Sequence, residues 1–263
     1  SHIINRVRSL YKDFGNVVIH QQIPHMFRPV QGAYNIGFTM FETTKIPNEW
    51  VNILSQLDEI WVPSQFNRTV FSRCGINKPI SVIPFPIDTN TYVPVEKENG
   101  PFRFLSTFQW TVRKNWHDLL LAYLEEFSFS ENVELYLKVY GSSASAYEKE
   151  AVQQQIDALI KDVGKVNRPR YVLDFSIKSE AEMVKIFQMS DVLVMPSKGE
   201  AIGLTFLEAM SCEKPCIATA WGGQTEFINE SNGYLVDYSL EAVSGMPHIR
   251  EYRSDQQWAK IDI

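Results

Sequence analysis

Two carboxylates and two cations are spaced so that they could act on a sugar joined to a phosphate. Glu200 and Glu208 stand with seven residues between them in VLVMPSKGEAIGLTFLEAM, Val192 to Met210. The apolar run Val192–Met195 suits a buried parallel strand. Pro196 to Gly199 break it, and apolar residues return with helical spacing from Gly203 through Leu204, Phe206, Leu207 and Met210. The order is strand, loop, helix, with Glu200 in the loop near the mouth and Glu208 more than one turn inside. Backbone N–H groups that open such a helix lack intrahelical partners and sit at the positive end of its dipole. Ile202, Gly203 and Leu204 therefore offer a place for phosphate or sugar oxygens. Glu208 can accept hydrogen bonds from a diol such as a ribose, and Glu200 from a hexose. The plainer reading is a solvated helix face with two ordinary glutamates.

The cations are Arg113 and Lys114, expected to open a helix directly after a strand. Ligands bind at the carboxyl edge of a parallel sheet in open α/β folds. There a guanidinium can grip a diphosphate bidentately while an ammonium acts as a point charge. A solvated basic pair is the alternative. Tyr140, Gly141 and Ser142 end another strand and can line a pocket for a base. His20 ends a strand ahead of a turn containing Pro24, where a satisfied structural histidine is the competing reading. Glu42 follows a strand in FTMFETTK and is either a cleft residue or a helix-start charge. Gly222 and Gly223 permit close approach of backbone to a ligand, or simply make a tight turn, with Glu226 just beyond.

Alternating strands and helices must position these residues. Expected strands are Val17–Ile19, Tyr34–Phe41, Glu59–Val62 and Ile80–Ile83, with helices over residues 1–15, Pro47–Leu57 and Gln65–Cys74, the last capped by Ser64. The polar stretch EKENG, Glu96 to Gly100, reads as the boundary between residues 1–97 and 98–263. The pattern then restarts: strand Phe102–Phe108, helix Lys114–Phe127, strand Val133–Tyr140, helix Ala146–Val163, strand Tyr171–Phe175 and helix Ser179–Met189. Ser179 and Glu182 form a capping-box pattern there. Strand Cys216–Thr219, a helix near Thr225–Asn229 and strand Tyr234–Val236 complete it. The tail from Ser239 is polar and carries Trp258. Such alternation implies parallel sheets with helices on both faces.

Several of these motifs, in this order, resemble the family-4 retaining glycosyltransferases of the GT-B fold. Glu200 to Glu208 matches that family's Glu, seven residues, Glu motif. KPCIATAWGGQTEFINESNGYLVD, Lys214 to Asp237, is similar to its next strand and Gly-rich loop. FLSTFQWTVRKNWHDLLLAYLEEFS, Phe104 to Ser128, is similar to its opening strand and Arg-Lys segment, although Asn115 stands where Gly usually follows the Lys. The resemblance implies an α/β chain of two Rossmann-like domains, the N-terminal, acceptor-side one appearing shortened, and a C-terminal nucleotide-sugar domain. It further implies a hexosyltransferase that uses a nucleoside diphosphate sugar such as a UDP- or GDP-hexose, with no metal and no other cofactor. Arg113 and Lys114 would hold the donor phosphates, Glu208 the ribose, Glu200 the hexose, and His20 would lie beside the transferred sugar. Rival readings are a non-catalytic nucleotide-sugar binding module, and an epimerase or phosphorylase of the same architecture.

Bulk properties narrow the field. The chain has 263 residues, 44% hydrophobic and 21% charged, with net charge −6. An acidic chain argues against a general nucleic-acid surface, and an anionic donor then requires local positive charge. No apolar run approaches the roughly 18 residues that span a bilayer, which leaves room for peripheral contact with a membrane. SHIINRVRSLY lacks a signal-peptide core, and the three cysteines suit a reducing, cytoplasmic compartment. No Asp-x-Asp pair ends a strand, and neither a Walker loop nor a Gly-x-Gly-x-x-Gly fingerprint is present. The acceptor, whether glycan, lipid or protein, is not specified.

Overall fold

The computed structural model describes residues 16–143 and 145–262. The helix expected over residues 1–15 lies outside the described residues. The chain divides into two compact units, Ser1–Pro84 and Phe85–Ile263. The division falls ahead of the polar stretch at Glu96–Gly100 because the intervening segment packs on the second unit. Tyr92 is buried with its ring 6.0 Å from that of Phe187, and Lys97 is ion-paired with Asp191.

In the first unit, β1 (Val17–Gln21), β2 (Tyr34–Phe38), β3 (Glu59–Val62) and β4 (Ile80–Val82) form a parallel sheet in that order. Helices α1 (Asn48–Leu54) and α2 (Gln65–Arg73) make the crossovers. Ser64 caps α2, its Oγ accepting from the Asn67 N–H at 3.2 Å. Ile46, Trp50, Leu54, Leu57, Ile60 and Phe71 are almost wholly buried. Each such side chain contributes roughly 1.5–3 kcal/mol of hydrophobic stabilisation.

The second unit comprises β5 (Phe102–Gln109), α3 (Trp116–Glu126), β6 (Val133–Tyr140), α4 (Ala146–Val163), β7 (Arg170–Asp174), α5 (Glu180–Gln188), β8 (Val192–Met195), α6 (Leu204–Ser211), β9 (Cys216–Thr219) and β10 (Gly233–Val236). Its strands are parallel and ordered β10-β9-β8-β5-β6-β7. The apolar run Val192–Met195, expected as a buried strand, is buried throughout, and Leu135, Leu137 and Val139 of β6 are buried as well. The Ser179 and Glu182 capping box is formed at the start of α5. Two expectations shift. Arg113 and Lys114 occupy a one-turn 3-10 segment, Val112–Lys114, and the α-helix begins at Trp116. The helix near Thr225 is likewise a 3-10 turn, Gly223–Glu226. The tail forms an antiparallel pair, β11 (Tyr238–Ala242) with β12 (Gln257–Ile261), and fully buries Trp258.

The strand order sets where a ligand can sit. From β5 the chain steps outward to β6 and β7, then returns to β8 on the other side of β5 and continues to β9 and β10. The β5/β8 junction is thus the topological switch point. Loops leaving adjacent strands there diverge to opposite faces and open a crevice at the carboxyl ends.

Candidate functional site

The loop after β5 carries Arg113 and Lys114, and the loop after β8 carries Glu200. Both loops leave the switch point, and the three side chains meet. Lys114 Nζ is paired with Glu200 Oε1, and Arg113 Nη1 lies 3.5 Å from Glu200 Oε2. Arg113 also donates to the Gly199 carbonyl at 2.6 Å. Glu200 is only 6% exposed, so it lies inside the ion cluster rather than at an open mouth. Burial alone would raise its carboxyl pKa. The Lys114 and then the Arg113 charges overcome this and hold it below the ordinary value. Two cations and one anion leave the cluster with a net positive charge.

Local backbone explains how the loops reach this geometry. Asn115 adopts the left-handed conformation, φ +54°, between the 3-10 turn and α3. Glycine enters that region freely and asparagine tolerates it better than most residues, so the chain turn survives the Asn. Gly203, at φ +79°, caps α6. A Cβ on Gly223 would lie 1.9 Å from the Ala201 carbonyl oxygen, and the Gly223 N–H donates to the Glu200 carbonyl at 2.8 Å. The Gly222–Gly223 turn therefore closes directly over the Glu200–Ile202 loop, burying Ile202 and leaving Leu204 partly exposed. The C-terminal strands brace the same loop. The Ala259 N–H donates to the Lys198 carbonyl at 2.7 Å, and the Lys198 N–H to that of Arg113 at 2.8 Å.

Glu208 projects from α6 one helical stretch beyond Glu200. Its Oε1 accepts from the Tyr92 hydroxyl at 3.2 Å, and Ser211 Oγ holds the Tyr92 carbonyl at 2.6 Å. Burial, with a contribution from Glu180, pushes the Glu208 carboxyl above its ordinary pKa, opposed by the Tyr92 hydrogen bond. Tyr92 was not singled out from the sequence. The turn that delivers it, Asp88 accepting from the Asn90 N–H and the Thr91 hydroxyl, is the local signal that could have found it.

Tyr140 and Gly141 line an open-mouthed cavity of about 420 Å³, together with Thr107, Lys138, Phe175 and Ile177. Tyr140 is 53% exposed. A second cavity, about 440 Å³, is lined by Met210, Glu213, Lys214 and Tyr234 and by none of the residues above. Asp174, at the end of β7, accepts from Tyr136, from the Ser176 N–H and hydroxyl, and pairs with Lys178 at 3.3 Å. Burial would raise its pKa, but the Ser176 and Tyr136 hydrogen bonds and Lys178 lower it from 3.8 to about 2. A depressed folded-state pKa stabilises above the unfolded value and is lost as pH falls through the folded one. Asp174→Asn should therefore cost about 2 kcal/mol near neutrality. The difference from wild type should close as pH falls from about 4 towards 2, as followed by denaturant unfolding.

His20 and Glu42 belong to the first unit. His20 is half-buried within β1, its Nε2 3.1 Å from Asn35 Oδ1, with its ring 5.6 Å from that of Phe27. Glu42 follows Phe41, which packs edge-on against Trp50. Among the described residues, no three His, Cys, Asp or Glu side chains are grouped to hold a metal, and no helix is long and apolar enough to cross a membrane.

A family profile described as glycosyl transferases group 1 matches residues 102–244, more than half of the chain. The chain belongs to the group 1 glycosyl transferases. The matched span contains the Arg113, Lys114, Glu200 and Glu208 positions. The D-inositol 3-phosphate glycosyltransferase of Paenarthrobacter aurescens is 34% identical over 107 residues, which is 40% of this chain and 24% of that protein. Among solved structures, the sucrose-phosphate synthase of Thermosynechococcus elongatus aligns with TM-score 0.66 at 19% identity, over 89% of this chain and 64% of that one. Anabaena HepE in complex with UDP and glucose aligns with TM-score 0.61 at 18% identity, over 78% and 58%. These structural likenesses bear on fold, which is the Rossmann-like GT-B type. This group 1 chain spans about a quarter of the length of that curated relative.

Proposed function

We propose that this chain is a retaining hexosyltransferase, which moves a hexose from a nucleoside diphosphate sugar to an acceptor hydroxyl. The observation that carries the reading is the convergence of Arg113, Lys114 and Glu200 at the β5/β8 switch point, one helix start away from Glu208. Breaking the sugar–phosphate bond develops negative charge on the leaving diphosphate and positive charge on the sugar. Arg113, Lys114 and the backbone N–H groups at Gly203 and Leu204 stabilise the first in a preorganised way. Fixed cations of this kind do the work that many transferases assign to a bound metal, so the reaction proceeds without one. Glu208 accepts from the ribose diol, Tyr140 and Gly141 line the base pocket, and Glu200 both holds the two cations and meets the hexose. The UDP and glucose in the HepE complex support a nucleotide-sugar donor, and the name of the curated relative supports glycosyl transfer. The sparse, odd cysteine count is the basis for placing the chain in a reducing, cytoplasmic setting.

The test is incubation with a panel of nucleoside diphosphate hexoses, with and without an acceptor panel, in the presence of EDTA. The expected result is acceptor-dependent release of nucleoside diphosphate, with the anomeric configuration kept when the product is read by NMR. A rearranged donor without acceptor would indicate an epimerase. Tight binding without any release would indicate a binding module. Activity abolished by EDTA and restored by Mg²⁺ or Mn²⁺ would show that the leaving group is handled by a metal.

A further inference from the structure

The cavity beside Tyr140 has a charged side chain set into the buried stretch of β6. Lys138 lies on β6 between Leu137 and Val139, both fully buried, and is itself 5% exposed. It lines the cavity, which puts it at the inner end rather than at the rim. Its cross-strand partners are Thr107 on β5 and Asp174 on β7. Asp174 directs its carboxylate to Tyr136, Ser176 and Lys178. The Lys138 Nζ reaches the Val139 carbonyl at 3.5 Å, the outer limit of a hydrogen bond. Burial lowers its ammonium pKa from the ordinary value, opposed by the Asp174 charge and reinforced by Lys178, and the net fall reflects the cost of holding a charge there. A methionine of similar length would fill the same space without that cost, so the ammonium calls for an occupant that accepts from it.

The walls describe that occupant. Tyr140, Phe175, Ile177 and Met183 supply the rings and apolar surface, with Ile177 82% exposed at the rim, while the second cation of the lining, Lys178, is paired with Asp174. A flat ring slides between such walls, and the inner lysine, a donor with no acceptor capacity, meets the ring's leading edge. We infer that Lys138 selects the base of the donor: its Nζ donates to a ring carbonyl oxygen, so the cavity takes uracil over cytosine and guanine over adenine. At the compared edge, uracil and guanine present a carbonyl oxygen where cytosine and adenine present an amino group, which faces an ammonium without an acceptor. This inference rests on the reading of the second unit as a nucleoside diphosphate sugar site, and it adds the residue that sets the base.

Equilibrium binding of UDP, CDP, GDP and ADP to the full chain and to Lys138→Met tests it. The wild type should bind UDP more tightly than CDP, or GDP more tightly than ADP, by about tenfold, the typical worth of a charged hydrogen bond. Lys138→Met should lose that preference by weakening the keto member of the pair, while CDP and ADP change little and the melting temperature does not fall. Lys138→Arg, which keeps charge and donors, should retain the preference. Equal weakening of all four diphosphates would place Lys138 on the phosphates and overturn the inference, as would a wild-type preference for the amino bases or an unchanged preference in Lys138→Met. Absence of binding by any diphosphate would instead overturn the nucleotide-sugar reading itself and this inference with it.

Discussion

Lys114→Met should lower the transfer rate by about 10²–10³, the usual cost of removing one preorganised electrostatic partner of a transition state. The ammonium is held in place by Glu200 and follows β5 at the switch point, so it needs no reorganisation when charge develops on the leaving phosphate. The loss should appear mainly in kcat, because the diphosphate carries more charge after bond breaking than the intact donor does. Nucleoside diphosphate affinity, read separately, should also fall. A rate within about threefold of wild type would remove Lys114 from the role of preorganised partner.

Glu200→Gln should destabilise the second unit by about 3–5 kcal/mol, the cost of leaving buried charge without its partner. The carboxylate is the common counter-ion of Arg113 and Lys114. Without it two largely buried cations face each other. The corresponding fall in melting temperature is roughly 6–20 °C for a unit of this size. Glu241→Gln is the control. Its ion pair with Lys198 is more exposed, with side chains 11% and 33% exposed for the lysine and glutamate, and its carboxylate also accepts from the Trp258 indole at 3.2 Å, so its loss should cost less, about 1.5–3 kcal/mol. Equal melting shifts for the two variants would show that the Glu200 cluster is not a buried ionic unit. Because the folded-state pKa of Glu200 is depressed, its contribution is present above the ordinary carboxylate pKa and is lost as pH falls below it.

Much of the architecture was legible because local signals and burial agree. Val192–Met195 is an apolar run and Val133–Tyr140 alternates Val133, Leu135, Leu137 and Val139 with other residues, both at strand length, and both are the strands expected. Helix Ala146–Val163 is bounded by Ser145, whose hydroxyl accepts from the Glu148 N–H, and by Gly164 in the left-handed conformation, both readable end signals. The tail was not legible. In β12 Trp258, Ala259 and Ile261 are buried in a pattern that does not alternate cleanly, and the partner strand lies across a polar loop. Within the candidate site, the residue types were apparent and their burial was not. Glu200 is enclosed by a turn more than twenty residues downstream, at Gly222 and Gly223, and Glu208 is held by Tyr92, 116 residues upstream. Periodicity reads neighbours on one element and carries no information about pairings at that separation. Lys138 was passed over for the same reason: a lysine inside an apolar strand run looks like an interruption until its cavity is seen.

Glu208 as the ribose acceptor commits the second unit to a nucleoside ligand. Calorimetric titration of the free nucleoside diphosphates into the wild type and into Glu208→Ala reads it without any knowledge of the sugar or the acceptor. Loss of a hydrogen bond to a charged group costs about 1.5–3 kcal/mol, so the affinity of the best-bound diphosphate should fall roughly tenfold or more, while the corresponding 2′,3′-dideoxy diphosphate, which lacks the diol, should bind both proteins alike. Unchanged affinity for the ribose form in a folded Glu208→Ala protein, or an equal loss for both forms, would contradict it.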